Sequence, residues 1–171
     1  EKIFQKIIKI KNDNFIIDLD WFDYWRKRSN VRVSSKFLNI FGPQRRTNQS
    51  LNDNYKNIAA ALQNRFQDAY IKIIKQLLEK TKEKNLVLSG GCALNCKANG
   101  FIEKSFNLKD IYIQPAAGDN GLAVGAAYLG YLKHTKFKKF RPRNVDHSYY
   151  GPSFNNQSIK NILIHNQKKI Y

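Results

Sequence analysis

The chain has 171 residues, 42% of them hydrophobic, which suits one folded domain or part of a larger one. Its 30 Lys and Arg residues exceed its 13 Asp and Glu residues and give a net charge of +17. The charge permits binding to nucleic acid or anionic membranes, but the lysines are spread along the chain, and an ordinary solvated surface accounts for them. No apolar run approaches the roughly 20 residues that span a bilayer. We therefore expect a cytoplasmic protein that does not contact a membrane, and the charge by itself does not predict binding to nucleic acid.

Methionine is absent throughout, including at position 1. A complete gene product starts with methionine, and the first residues show no signal-peptide pattern. We therefore expect the chain to be an excised segment of a longer protein.

The N-terminal part predicts a hairpin followed by a short helix. Ile-rich segments between residues 4 and 20 flank a polar turn cluster and favour two antiparallel strands. The aromatic run Trp21–Trp25 is interpreted as core. A short helix should begin at a cap provided by Ser34 or Ser35 and end at the breaker pair Gly42-Pro43.

A polar loop and a long helix are predicted next. Segment 44–55 contains the adjacent Arg45 and Arg46, a pair that would suit an anion lying nearby. The helix is predicted over residues 54–82. Apolar residues at helical spacing predict the face that it turns to the core: Ile58, Ala61, Leu62, Phe66, Ala69, Ile73 and Leu77.

Two successive strand–glycine loop–helix units form the most informative part of the chain. The first has an apolar strand at 86–88, a Ser-Gly-Gly loop at 89–91, and small residues suited to opening a helix. The second has a strand at 111–114, a loop at 116–121 and a helix at 122–132. This alternation favours an α/β domain whose strands pair in parallel. A further helix over 159–163 is predicted to be capped by Ser158.

The first glycine loop has the composition of a phosphate-binding backbone. Gly90 and Gly91 let the main chain turn and approach a ligand, and N–H groups near a helix start carry partial positive charge. Ser89 adds a hydroxyl donor. Asn95, one turn further on, could hydrogen-bond a ligand or cap the helix.

The second loop places an acid between glycines. Asp119 lies between Gly118 and Gly121 after a strand, where α/β sheets bind ligands, and its carboxylate could hold a metal ion that bridges to phosphate. Gly-Asp-Asn-Gly is also an ordinary turn. Together the two loops predict a nucleotide and metal site, although neither the P-loop nor the Gly-x-Gly-x-x-Gly fingerprint is present.

The two cysteines offer weaker information. Cys92 and Cys96 are four residues apart, and a disulfide between them would close only a short loop. We interpret both as small buried hydrophobes in a reducing compartment.

Several segments, taken together, identify a family. Leu88–Asn99 and Gln114–Ala127 closely resemble the O-carbamoyltransferases of nodulation-factor and antibiotic biosynthesis, and Phe41–Arg45, Ile58–Gln63 and Tyr150–Phe154 agree. The resemblance implies one lobe of an actin-like ATPase (ribonuclease-H-like) fold, an α/β fold with a mixed sheet and flanking helices. It also implies a relationship to the tRNA threonylcarbamoyl transferases.

The resemblance also implies an activity. In this family a YrdC-like domain makes carbamoyl-adenylate from carbamoyl phosphate and ATP, and the actin-like domain moves the carbamoyl group to a hydroxyl-bearing acceptor. By position, Ser89, Gly90 and Gly91 match the nucleotide-contacting loop and Asn95 a ligand-binding residue. In the second loop Asp119 matches a ligand of a divalent metal, iron or magnesium, and its neighbour Gly118 is a further candidate for nucleotide contact. No residue is identified as the catalytic base.

The sequence departs from the family pattern in one respect. The family's His-x-x-x-His metal motif is absent, so we expect the first lobe and nearly all of the YrdC-like domain to be missing. Residues 1–148 would be the second lobe, and 149–171 a linker with the start of the C-terminal YrdC-like domain. Such a segment should be inactive alone.

Two other functions stay open. The chain could be a kinase or ATPase lobe of the same superfold, which would release ADP rather than AMP. It could also be a basic nucleic-acid-binding module using the cluster Lys133–Arg143.

Overall fold

The computed structural model describes residues 1–12, 14–24, 32–136, 148–149 and 151–166. These residues form a mixed α/β structure of small sheets with flanking helices, in two compact units, Glu1–Asp119 and Asn120–Tyr171. The described residues of the first unit form these α-helices and strands, in chain order: α1 Lys2–Ile7, β1 Ile8–Lys11, β2 Asn14–Ile17, α2 Ser35–Phe41, α3 Asp53–Thr81, β3 Asn85–Leu88, α4 Cys96–Ser105 and β4 Asp110–Ile113. The second contains α5 Leu122–His134 and α6 Asn156–His165.

The predicted hairpin is confirmed, but it starts later than expected. Strands β1 and β2 pair antiparallel from Ile8 opposite Ile17 to Lys11 opposite Asn14. Residues 4–7, which we assigned to the first strand, belong to α1. The reason is packing: Phe4 and Ile7 are three residues apart, lie on one helical face, and are 2% and 1% exposed.

The first of two hydrophobic cores lies between α1, α2 and the N-terminal half of α3. Trp21 is buried in it, as predicted, whereas Tyr24 from the same aromatic run is exposed. Residue 25 lies outside the described residues. Partly buried side chains from α2 and α3 complete this core: Phe37, Phe41, Ile58 and Ala61.

Both ends of α2 are where the sequence places them. The Ser34 hydroxyl accepts a hydrogen bond from the Phe37 N–H at 3.4 Å, as an N-cap does. Gly42 ends the helix with φ +86°, a conformation that glycine adopts without strain. The predicted loop that follows lasts until Asn52, whose side chain caps α3.

Helix α3 agrees in length with its prediction, and four residues of the predicted core face, Ile58, Ala61, Phe66 and Ala69, are buried or partly buried. Its buried residues are Ala69 and Ile74. Leu62, Ile73 and Leu77, predicted to be core residues, are 45%, 36% and 47% exposed, so that part of the prediction is wrong. Over 29 residues the helix packs against two separate cores, and no single apolar stripe serves both.

The second core lies between α3, α4 and the strand pair that precedes the two glycine loops. Strands β3 and β4 pair in parallel, as predicted, from Asn85 opposite Asp110 to Leu88 opposite Ile113. Ile102 of α4 is fully buried at its centre. The other buried members are Ile74, Leu86, Leu88, Ala93 and Ala117.

In the second unit, α5 confirms the predicted helix and extends it by two residues. The cap of α6 was assigned wrongly: Asn155 accepts from the Ser158 N–H at 2.8 Å, so the helix begins before Ser158. The basic cluster from Lys133 onward reaches residues 137–143, which lie outside the described residues. Among the helices that the structure describes, none is long and apolar enough to cross a membrane.

Candidate functional site

The candidate site is formed where β3 and β4 end. Because the strands are parallel, the loops after Leu88 and Ile113 leave the same edge of the pair. The Gly90 N–H donates to the Ala117 carbonyl oxygen at 2.8 Å, and the Gln114 N–H donates to the Leu88 carbonyl oxygen at 3.3 Å. The structure therefore brings together the two loops that the sequence singled out.

Gly90 has a conformational role in this arrangement. Its φ of +93° and ψ of 160° fall in a region that is almost restricted to glycine. A Cβ atom added to it would meet no atom within 4 Å, so the need for glycine is conformational rather than steric. Since its N–H is bonded to Ala117, Gly90 links the loops and does not offer that donor to a ligand.

Donors for an anion remain next to Gly90. The 3₁₀ turn Gly91–Leu94 begins immediately after it, and the first N–H groups of such a turn have no acceptor within it. In the part of the chain that the structure describes, the Gly91 N–H has no acceptor. Ser89 and Gly91 are both exposed residues.

Asn95 caps α4 and connects it to α3. Its Oδ1 accepts from the Ala98 N–H at 3.0 Å, which is the cap that the sequence left open as an alternative. Gln63 of α3 exchanges two further hydrogen bonds with the same amide, at 3.1 and 2.9 Å. Asn95 therefore fixes the end of the first loop against the long helix.

The side chain of Asn99 stabilises the 3₁₀ turn of the first loop. It is 8% exposed, and its Nδ2 donates to the Ala93 carbonyl oxygen at 2.7 Å. Its Oδ1 is buried with no partner among the described residues. The sequence analysis assigned no role to Asn99 or Gln63. The available signal for Asn99 was its position four residues after Asn95, on the same face of α4. Gln63 lies 32 residues from Asn95, and no local pattern indicates their contact.

The second loop places its acid at the surface. Ala117 is buried in the core, Gly118 is half-buried and Asp119 is exposed at the start of a 3₁₀ turn. Within the described residues there is no group of three or more His, Cys, Asp or Glu side chains that could hold a metal ion. Asp119 is thus a single potential oxygen ligand.

The expectation that both cysteines are buried is wrong. Cys92 and Cys96 are free thiols and exposed. Ala93 and Ala98 occupy the inward positions of the turn and of α4, which leaves the cysteines on the outer side. Burial raises the pKa of the Tyr70 phenol, and the charge of Cys92 raises it further.

The family follows from comparison with known proteins. Residues 1–128 match the family model described as carbamoyltransferase N-terminus. The chain therefore belongs to the carbamoyltransferase family, as its loop sequences predicted.

Three relatives illustrate the similarity. The chain is 34% identical over 166 residues to the uncharacterised protein sll1178 of Synechocystis sp., covering 94% of this chain and 26% of that protein. It is 32% identical over 122 residues to nodulation protein NolNO of Sinorhizobium fredii, covering 70% and 18%. It is 30% identical over 119 residues to nodulation protein NolO of Bradyrhizobium diazoefficiens, covering 69% and 21%. The chain spans about a quarter or less of the length of these relatives.

Proposed function

We propose that the chain is the second lobe of the actin-like domain of an O-carbamoyltransferase, which moves a carbamoyl group from carbamoyl-adenylate to a substrate hydroxyl. Membership of the carbamoyltransferase family supports the class of reaction. The observation that carries the proposal is the hydrogen bond from Gly90 to Ala117, which joins the two glycine loops at one edge of a parallel strand pair. That edge is where α/β proteins bind nucleotides.

The proposed transfer is a substitution at the carbamoyl carbon. The hydroxyl oxygen of the acceptor attacks this carbon, and the bond between the carbon and the adenylate phosphate oxygen breaks. AMP leaves with the electron pair, and the hydroxyl proton passes to a base or to water. Negative charge grows on the phosphate of the departing AMP, so fixed donors there would lower the barrier.

The first loop would supply these donors. The N–H of Gly91 and the hydroxyl of Ser89 would bind phosphate oxygens, and Gly90 would hold the backbone in the required turn. Gly118 would let the second loop approach the same ligand. Asn95 uses one N–H of its amide for Gln63, and the second would be available to the nucleotide.

The resemblance implies a divalent metal, iron or magnesium, and the described residues supply only part of a site for it. Asp119 is an exposed carboxylate and fits one oxygen ligand, but the described residues contain no cluster that completes the coordination. We propose that the remaining ligands belong to the first lobe. No step of the transfer is assigned to the metal.

The proposal includes the remainder of the enzyme. Residues 1–148 would form the second lobe, and residues 149–171 would form a linker and the start of the C-terminal YrdC-like domain. The partner domain would make carbamoyl-adenylate from carbamoyl phosphate and ATP. The acceptor would bind between the lobes, so the chain alone would be inactive and would bind nucleotide weakly.

A product assay tests this function. The chain alone, and the chain joined to a first lobe and a YrdC-like domain, are incubated with carbamoyl phosphate, ATP and a panel of polyols. We expect carbamoyl ester and AMP only from the joined protein. Asp119→Asn should abolish transfer, whereas Asp110→Asn, an exposed acid at the opposite end of β4, should not. Turnover by the chain alone, or release of ADP instead of AMP, would contradict the proposal.

A further inference from the structure

A second concave surface in the first unit has no part in the proposed transfer. A cavity of about 430 Å³ lies between α2 and the start of α3. Its walls are partly buried side chains, chiefly Phe37, Leu38, Phe41, Tyr55 and Ile58. Ligand-binding pockets fall in the range of about 300 to 1,000 Å³, and a cavity of about 150 Å³ accommodates benzene. The space is therefore sufficient for an aromatic ring.

The rim of this cavity is basic and continues into a polar cavity. Gln44 and Arg45 line both, and the neighbouring cavity of about 380 Å³ is otherwise lined by Arg46, Thr47 and Asn48. An apolar cavity thus adjoins a cavity that is lined with guanidinium, hydroxyl and amide groups. Such a pair complements a molecule with one apolar and one anionic end.

The loop that carries the arginines is held in place by its own hydrogen bonds. Nη1 of Arg45 donates to the carbonyl oxygens of Gln49 and Arg46, and the Arg46 N–H donates to Oε1 of Gln49 at 3.2 Å. Within the described part of the chain, neither arginine forms an ion pair with a carboxylate. The guanidinium group of Arg45 is therefore held beside the cavity, Arg46 adds a second positive charge to the same loop, and neither has a counter-ion among the described residues.

We propose that these two cavities form one binding site for a phosphate monoester that carries a flat apolar ring. The ring would lie against the aromatic walls of α2 and Tyr55. The phosphate would bind Arg45 and Arg46, because planar guanidinium groups bind phosphate oxygens in pairs of hydrogen bonds. The site is separate from the two glycine loops and does not depend on carbamoyl transfer.

A comparison of three probes tests whether the two cavities bind one ligand together. Phenyl phosphate, methyl phosphate and phenol are titrated into the protein by calorimetry at 0.15 M salt. We expect saturable binding of phenyl phosphate with a Kd about tenfold or more below those of the other two, since only it fills both cavities. Equal affinity for methyl phosphate, or no saturable binding of phenyl phosphate, would overturn the proposal.

A pair of charge-matched variants tests the assigned cations. Arg46→Gln removes a side chain on an exposed loop, so the fold should persist, and it should weaken phenyl phosphate binding about tenfold. Lys75→Gln removes the same charge from an exposed position of α3 and should leave the Kd within about twofold. An equal loss in both variants would show attraction to the net charge alone and would contradict the site.

Discussion

At the scale of single residues, the candidate site depends on a few backbone and amide contacts. Gly90 supplies a conformation that other residues rarely adopt, and Asn95 ties the loop to α3 through Gln63. The residues resembling the family's nucleotide loop are therefore partly structural. Ser89, Gly91 and Asp119 are the exposed groups that this scaffold presents.

The first prediction concerns Gly90. Gly90→Ala should lower the free energy of unfolding by about 1–3 kcal/mol, because a residue with a Cβ is strained at φ +93° and ψ 160°. Urea denaturation measures this change. The matched control is Gly91→Ala: position 91 has no positive φ and an added Cβ meets no atom within 4 Å, so the loss should be much smaller. Equal losses in the two variants would show that the conformation of Gly90 is not the cause.

The second prediction concerns pH and Tyr70. Burial, with the charge of Cys92, raises the pKa of this phenol above its ordinary value of 10.0. Above pH 10 the folded protein therefore keeps a proton that the unfolded chain releases, so this contribution to stability is complete below pH 10 and is lost as pH rises further. Urea titrations of the native protein and Tyr70→Phe between pH 9 and 11 should diverge, with the native protein losing more. If the stabilities of the two proteins fall in parallel with pH, the raised pKa of Tyr70 is contradicted.

At the scale of secondary structure, α3 connects the two cores and the candidate site. Its N-terminal half packs with Phe4 and Trp21, and Ile74 packs under the strand pair. Gln63 lies between these contacts and reaches Asn95. Changes in the packing of this helix should therefore alter the position of the first loop.

The third prediction uses two adjacent isoleucines of this helix. Ile74→Ala should cost about 2–5 kcal/mol because the side chain is 3% exposed and its removal leaves a cavity. Ile73→Ala removes the same atoms from a side chain that is 36% exposed and should cost less than half as much. Thermal or urea unfolding measures both. A larger loss for Ile73 would favour the face that helical periodicity predicted.

Sequence signals predicted the ends of helices and the strands better than they predicted which side chains are buried. The cap at Ser34 and the break at Gly42 depend on nearby residues, and both are confirmed. The parallel pairing of β3 with β4 joins residues 25 positions apart; the alternation of strands and helices predicted it, and it too is confirmed. Helical periodicity alone cannot distinguish Ile73 from Ile74 when a helix touches two cores. The bond from Gly90 to Ala117 joins residues 27 positions apart in sequence, and no local pattern specifies it.

At the scale of the whole molecule, charge and exposed apolar surface set its behaviour. The net charge of +17 will attract phosphates wherever they can approach, so any nucleotide experiment needs a salt control. In the second unit, α5 exposes Leu122, Tyr128 and Leu129 by half or more. The relatives are about four times longer or more, which agrees with the proposal that other domains complete the enzyme.

The most direct test of the nucleotide site is to map AMP onto the backbone by NMR. The ¹⁵N-labelled chain is titrated with AMP, adenosine and inorganic phosphate at 0.15 and 0.5 M NaCl. We predict weak binding of AMP, with chemical shift changes at residues 89–91 and 118–119 that are preserved at the higher salt, whether or not further changes occur at the cavity beside α2. Changes confined to residues 32–46, or spread over the lysines and lost at high salt, would contradict a nucleotide site at the two glycine loops.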